Sequence, residues 1–457
     1  MSRRQRRQAL PAGPVTVSID GLSHEGRGVA RIDGKVAFVD GALPGETVEA
    51  RYTGSRRQFD ELRTLDVIEA SPQRVTPPCE WFGICGGCAM QHLAPEEQRE
   101  HKQSVLLEHL RHQAGLGVND FRLLPPMSGV SDINYRRKAR LAVRHVRKKG
   151  GTLVGFREKA STFITDMQDC RVLVPAVSDL IAPLRALFSD MKAGAAIPQV
   201  EVAAGEPADS PEPSQVALVL RHLAPLPEVD REALRAFANA YGVRWYLQSG
   251  GPRSVMPLDS EEGESRLYYR LPDFDLRMAF HPMDFTQVNG DINRRMVGLA
   301  IELLDLSEGH RVLDLFCGLG NFTLAAARHC AAVHGVEGSS EMVQRGYENA
   351  SLNDIDNVTF QAADLTGDVR EQDWTRSTWD RVLLDPPRSG AAELISLIGE
   401  LKPEKVVYIS CNPVTLARDA ALLVAQGYYL EQTGIMDMFP HTAHVESIAR
   451  FIRIPQS

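Results

Sequence analysis

Ser410-Cys411-Asn412-Pro413 follows the apolar, β-branched run at 406–409. A lone cysteine is ordinarily a small buried hydrophobe. The carboxyl end of a strand in an open α/β sheet, however, is where ligands bind, and Cys411 stands there. Glu446 lies in HTAHVESIARFIR (441–453), just ahead of a β-rich run, and is placed to serve as a carboxylate base. His441 and His444 are of types that bind metals or move protons, but no ligand set surrounds them in the sequence. Cys79, Cys85 and Cys88, with Cys170 far along the chain, form a four-thiolate set. Thiolates in that number suit a structural zinc or an iron–sulfur cluster, and the spacing leaves both open. Cys317 and Cys330 read as packing residues.

A second constellation is built from glycines and acids. The run at 312–316 leads into Cys317-Gly318-Leu319-Gly320-Asn321, and a helix is expected from about Phe322. Glycines at a strand-to-helix turn let a ligand approach the backbone closely. The next strand, AAVHGVE, ends in Glu337, which can accept hydrogen bonds from ribose hydroxyls. VTFQAAD ends near Asp364, placed to meet an adenine edge, and RVLLDPPR carries Asp385. A dinucleotide and S-adenosylmethionine both fit such a site. The dinucleotide spacing G-x-G-x-x-G is broken because position 323 is Thr. Asp314, just ahead of the glycines, suits a cationic, phosphate-free cofactor, and otherwise reads as a loop anchor.

These residues need elements to position them. From about residue 284, apolar strand-like runs alternate with helical stretches at 323–330, 340–350 and 413–426, the pattern of a doubly wound parallel sheet. Residues 14–70 alternate and are punctuated by glycines, which predicts an OB-like barrel or another small β module. A helix is expected over 95–113, with Val105, Leu106 and Leu110 on one face. Residues 133–175 read as β-hairpins carrying NYRRKARLAVRHVRKK (134–149), with eight Lys and Arg and no acid. Such a run is ordinarily a solvated face, and here phosphate contact is the favoured of the two readings. Tyr135 and Phe156 are candidates to stack on bases, and neutralising Arg136, Arg137 and Lys138 is expected to weaken binding of a nucleic acid. The polar stretches 204–216 and 259–265 read as surface excursions.

The chain has 457 residues, enough for about three domains, and ordinary hydrophobic and charged fractions of 43% and 24%. These exclude wholesale disorder, collagen and fibrous coils. The net charge of −8 argues mildly against nucleic acid, but it is unevenly spread. Residues 1–170 carry 26 Lys and Arg against 20 Asp and Glu, and the remainder 25 against 39. Such asymmetry suits a polyanion-binding front. No run long enough to span a membrane is present, and no apolar segment follows the basic start MSRRQRRQALPAGP, so a cytoplasmic location is expected.

The stretches DFTQVNGDINRRM (284–296), VLDLFCGLGNFTLAAA (312–327), VEGSSEMV (336–343), LLDPPRSG (383–390), YISCNPVTLARD (408–419) and HTAHVES (441–447) together resemble the S-adenosylmethionine-dependent RNA uracil-C5 methyltransferases. GRGVARIDGKVAFVDGALPGE (26–46) looks like a TRAM domain, an RNA-binding OB-like barrel. CEWFGICGGCAMQHL (79–93) with Cys170 looks like the iron–sulfur loop of the branch that acts on 23S ribosomal RNA. The resemblance implies an α/β protein of three parts. These are a TRAM-like barrel with a basic arm (1–72), a central cluster-bearing α+β domain with the basic hairpins (73–283), and a doubly wound Rossmann-like methyltransferase domain (284–457). It implies cofactor contacts by Gln287, Phe316, Asn321, Glu337, Asp364 and Asp385. It further implies Cys411 as nucleophile, Glu446 as proton-abstracting base, and a [4Fe–4S] cluster on Cys79, Cys85, Cys88 and Cys170. The implied partner is 23S ribosomal RNA, not DNA or a membrane, and the implied state a monomer. The rival readings are a transfer-RNA uracil-C5 methyltransferase and a non-catalytic RNA-binding ribosome factor. The Cys quartet and TRAM-like front argue against the first, and Cys411, Glu446 and the glycine loop against the second. A cytosine-C5 enzyme would place a Cys where DPPR stands.

Overall fold

The computed structural model describes residues 10, 11, 13–207, 210, 214–259 and 266–455. The start of the basic arm and parts of the two polar stretches lie outside the described residues. The chain divides into two compact units. The first is residues 1–102 with 158–161 and 440–443; the second holds the rest.

Six strands of the first unit form one sheet, in the order Val15–Ser18, Thr47–Ser55, Phe59–Glu69, Lys35–Asp40, Gly28–Ile32, Gly21–Leu22. Alternate residues point inward, and Val17, Ile19, Ala30, Ala37, Val39, Val48, Ala50 and Leu62 form the core. Alanines at 30, 37 and 50 leave the room that a tightly coiled small sheet needs. Three register shifts between Thr47–Ser55 and Phe59–Glu69 add twist to the long pair. The buried Glu46 latches the barrel to the chain that leaves it: Arg74 Nε and Nη2 donate to its two oxygens at 2.5 and 2.7 Å, and Leu43 N and Ser71 N donate as well. Burial would raise the Glu46 pKa, but Arg74 and the two backbone N–H groups outweigh it and hold the carboxyl below its ordinary value. In the same unit the buried Gln98 donates to Met90 O and Leu93 O and accepts from His441 N. His441 thus has a structural task.

In the second unit a mixed sheet runs Val255–Pro257, Val243–Gln248, Gln215–Arg221, Gln199–Gly205, Lys138–Val146, Gly151–Gly155. Lys138–Val146 and Gly151–Gly155 form the expected basic hairpin. An eight-stranded sheet follows, in the order Val358–Ala362, Ala332–Glu337, Arg311–Leu315, Arg381–Leu384, Lys405–Ser410, Glu446–Arg453, Tyr428–Met436, Arg122–Leu123. Its first five strands are parallel, and Glu446–Arg453 runs antiparallel beside Lys405–Ser410. The order reverses at Arg311–Leu315, the switch point where a doubly wound sheet opens a crevice. The strands are apolar on both faces because helices cover both. Helix Gly290–Leu304, capped by Asn289, buries Ile292, Met296, Val297, Ala300, Leu303 and Leu304. Each such large side chain contributes about 1.5–3 kcal/mol. Asn412 caps helix Pro413–Ala425 through Val414 N, so Cys411 sits at a fixed strand-to-helix turn.

Candidate active site

The glycine loop leaves the central strand at Phe316, whose N and that of Cys317 both donate to Val336 O. Phe316, Gly318 and Gly320 have φ values of +67°, +55° and +94°. Glycine adopts that region without strain, and a Cβ on Gly318 would meet nothing within 4 Å, so the loop is open on that side. Glu337 closes the next strand. One of its oxygens accepts from Gly318 N and the other from Ser339 N, each at 3.1 Å. The carboxylate that the sequence assigns to ribose therefore also shapes the glycine loop. Asn321 accepts from Tyr269 Oη and pairs reciprocally with Asn293. Gln287 and Asn293 line a small cavity of about 20 Å³ with Tyr269, Arg137, Glu206 and Arg294. Asp364 is exposed, and Thr366 takes its Oδ1, holding the carboxyl below its ordinary pKa.

Beneath the loop, Asp314 is buried. Thr323 Oγ1 donates to its Oδ2 at 2.6 Å, while Oδ1 has no partner. Burial pushes Asp314 up to about 7, with Asp385 and Glu337 adding to the shift. Burial, with Glu337 beside it, also raises Asp385 to about 7. An unpartnered buried carboxylate oxygen, other carboxylates around it and a glycine loop open to a ligand suit a cation. This arrangement fits S-adenosylmethionine, whose sulfonium and ammonium are positive.

Cys411 and Glu446 meet through register. Ser410 pairs with Ser447 across the antiparallel ladder, so the next positions, Cys411 and Glu446, stand opposite each other. Ser447 Oγ donates to Ser410 O at 3.2 Å and secures that register. Asp385 ends the neighbouring strand and donates its N–H to Leu315 O, at the mouth of the glycine loop. Burial pushes the Cys411 thiol up to about 11; Glu446 and Asp385 add to this, and Arg388 pulls the other way. Burial, then Asp385, pushes Glu446 up to about 8, again opposed by Arg388. Sequence reasoning had missed Arg388, whose signal was its place two residues beyond Asp385-Pro386. Its guanidinium contacts the His444 ring at 3.0 Å.

Three readings change. Glu206, in the stretch taken for a surface excursion, is fully buried and paired with both Arg137 and Arg294. Arg137 and Lys138 are consequently interior: Arg137 meets Glu206, and Lys138 donates to Asp284 O. Tyr135 is buried and presents no face for stacking. Arg140, Arg144, Arg147, Lys148 and Lys149 remain exposed. The metal reading gains no support. Cys79, Cys85 and Cys88 belong to the first unit and Cys170 to the second. Among the described residues no group of three or more His, Cys, Asp or Glu is placed to hold a metal ion. No helix among them is long and apolar enough to cross a membrane.

Residues 268–453 match the family model for tRNA (uracil-5-)-methyltransferase, and residues 14–59 match the TRAM domain. The solved Pyrococcus abyssi tRNA (uracil-54, C5)-methyltransferase, in complex with S-adenosyl-L-homocysteine, shares the fold. Its TM-score is 0.71 at 23% identity, over 96% of this chain and 100% of that one. Fold and site together define a TRAM-bearing methyltransferase of the RNA uracil-C5 class. The 23S rRNA (uracil(1939)-C(5))-methyltransferase RlmD of Alcanivorax borkumensis is 52% identical over 98% of each chain, and that of Hahella chejuensis 51% over 99% of each. The chain belongs to this 23S rRNA (uracil-C5)-methyltransferase family.

Proposed function

We propose that this chain moves a methyl group from S-adenosylmethionine to C5 of a specific uridine in 23S ribosomal RNA, through a covalent adduct at Cys411. The observation that carries the mechanism is the register that sets Cys411 opposite Glu446, beside the glycine loop. C5 of uracil is a weak nucleophile. The Cys411 thiolate adds to C6, and the displaced electron pair makes C5 nucleophilic as an enolate. S-adenosylmethionine supplies the electrophilic methyl. Glu446 then takes the C5 proton, the C5–C6 double bond re-forms, and the Cys411 thiolate leaves. Gln287, Phe316, Asn321, Glu337, Asp364 and Asp385 are the proposed cofactor contacts. A stacked uridine cannot reach Cys411, so the nucleotide must leave its stack at a cost of a few kcal/mol.

Cys411→Ala is expected to abolish 5-methyluridine formation while leaving RNA binding intact. Glu446→Gln is expected to accumulate a covalent protein–RNA adduct that survives denaturation. Methyl transfer by Cys411→Ala would overturn the mechanism. Assays on 23S and transfer RNA side by side test the substrate, and methylation of transfer RNA alone would move the chain to the other branch. The chain is proposed to act as a cytoplasmic monomer. A [4Fe–4S] cluster on Cys79, Cys85, Cys88 and Cys170 rests on the family resemblance, since their spacing suits zinc equally, and no catalytic step depends on it. An anaerobically purified protein carrying zinc instead of iron would remove it.

A further inference from the structure

The loop after Asp385 is gripped by the helix that starts after Cys411. Asn412 Nδ2 donates to Arg388 O at 3.0 Å, and Thr415 Oγ1 to the same oxygen at 3.3 Å. Arg418 Nη2 donates to Ser389 O at 2.8 Å. The centre of the grip is Asp419, which is fully buried. Its Oδ2 accepts from Ala391 N at 2.8 Å and from Tyr408 Oη at 2.6 Å; its Oδ1 accepts from Arg418 Nε at 2.8 Å. Tyr408 lies on the strand Lys405–Ser410, which leads into Cys411. One carboxylate therefore joins the thiol's strand, the thiol's helix and the loop that begins at Arg388. Gly390, at φ +79°, lies directly on the pair: a Cβ there would come within 2.5 Å of Arg418 Nη2 and 2.6 Å of Asp419 Oδ2. Burying a charge in this way carries a large desolvation cost, and an apolar substitute often serves stability as well. What the carboxylate adds is fixed geometry.

We propose that Asp419, with Arg418, is a positioning residue for methyl transfer: it holds the 388–391 loop on the helix that follows Cys411, so that the Arg388 guanidinium stays beside the thiol. The inference rests on the reading of Cys411 as nucleophile. When ionised, Glu446 and Asp385 oppose the thiolate, while Arg388, whose carbonyl is held by Asn412 next to Cys411, favours it. His444 contacts Arg388 from the loop just ahead of the strand that begins at Glu446. With the loop released, Arg388 no longer offsets the two carboxylates, and the thiolate forms at higher pH.

The test measures kcat/KM for an RNA fragment against pH in the wild type, Asp419→Asn, Arg418→Gln, Arg388→Gln and Asp419→Asn/Arg388→Gln. Asp419→Asn keeps one acceptor oxygen but turns an N–H toward Arg418. The limb that rises with pH is expected to move up by about one unit in Asp419→Asn, with a rate about tenfold lower at pH 7 and KM for S-adenosylmethionine within about twofold. Arg388→Gln should give the same displacement, and the double variant no more. Arg418→Gln alters a half-exposed side chain, so it reports even if Asp419→Asn fails to fold; its limb should move the same way by less. The proposal falls if the limb stays in place in the Asp419→Asn and Arg418→Gln enzymes that fold. It also falls if Asp419→Asn lowers the rate equally at every pH, or adds its own displacement in the Arg388→Gln background. Methylation by Cys411→Ala would instead remove the reading beneath it, and that variant is run in parallel.

Discussion

Burial is the chief cause that pushes Asp314 and Asp385 up to about 7 and Glu446 up to about 8. A cationic cofactor favours their ionised forms, so its binding should release protons and tighten as pH rises from about 6 to 8. Calorimetry in two buffers of different ionisation heat checks this, and a pH-independent affinity with no proton release would contradict it. The same shifts have a sign for stability. A carboxyl whose pKa is raised on folding favours the folded state most at low pH. That contribution is lost progressively as pH rises from the unfolded values of about 4 through the folded values of about 7 to 8, so the melting temperature should fall over this range and the cofactor should restore it. Much of this chemistry was legible residue by residue: the glycines, Glu337, Asp385, Cys411 and Glu446 all stand at strand ends that apolar runs announce. What was not legible was partnership. That Cys411 and Glu446 face each other depends on the register of an antiparallel pair, which no local pattern encodes. Glu206 looked like a polar loop residue because its partners, Arg137 and Arg294, are distant in sequence.

The elements that carry these side chains depend on a few close fits. Helix Ser340–Leu352 approaches strand Val358–Ala362 at Gly346, where a Cβ would come within 2.8–2.9 Å of three Phe360 ring atoms. Gly346→Ala is expected to cost about 1–3 kcal/mol, because the ring has to move inside a packed core. The drop in melting temperature measures it, and an unchanged value would show that Phe360 yields freely. In the barrel, Glu46→Ala removes the partner of Arg74 and of two backbone N–H groups, and should cost about 3–5 kcal/mol near pH 7. The folded pKa of Glu46 is lowered, so its contribution is present above the unfolded value of about 4.5 and fades as pH falls through the folded one. Denaturant melts of both proteins should therefore converge in acid. The strand and helix runs were readable from periodicity, and the helix Pro95–His109 begins at the proline that announced it. The latches were not, since Glu46 and Gln98 each look like an ordinary surface residue in the sequence.

At the scale of the whole chain, the net charge of −8 divides into a basic front and an acidic remainder. The structure narrows the RNA-facing part of the front. Arg137 and Lys138 are interior, so replacing them should destabilise the fold instead of simply weakening RNA binding. Arg144, Arg147 and Lys148 are exposed at the end of the basic hairpin. Replacing all three with Ser should lower RNA affinity and reduce the slope of log K against log salt by about 0.7–0.9 for each phosphate left without its cationic partner. An unchanged slope would place the RNA elsewhere. The acidic remainder has a different consequence. Methyl transfer turns a sulfonium into a neutral thioether, so the cofactor leaves the reaction with one positive charge fewer than it brought. On the proposed site, the carboxylates of Asp314 and Asp385 attract the incoming molecule and hold the spent one less firmly. The pocket is thus graded by charge toward turnover: it discards its product for the same reason that it captures its substrate.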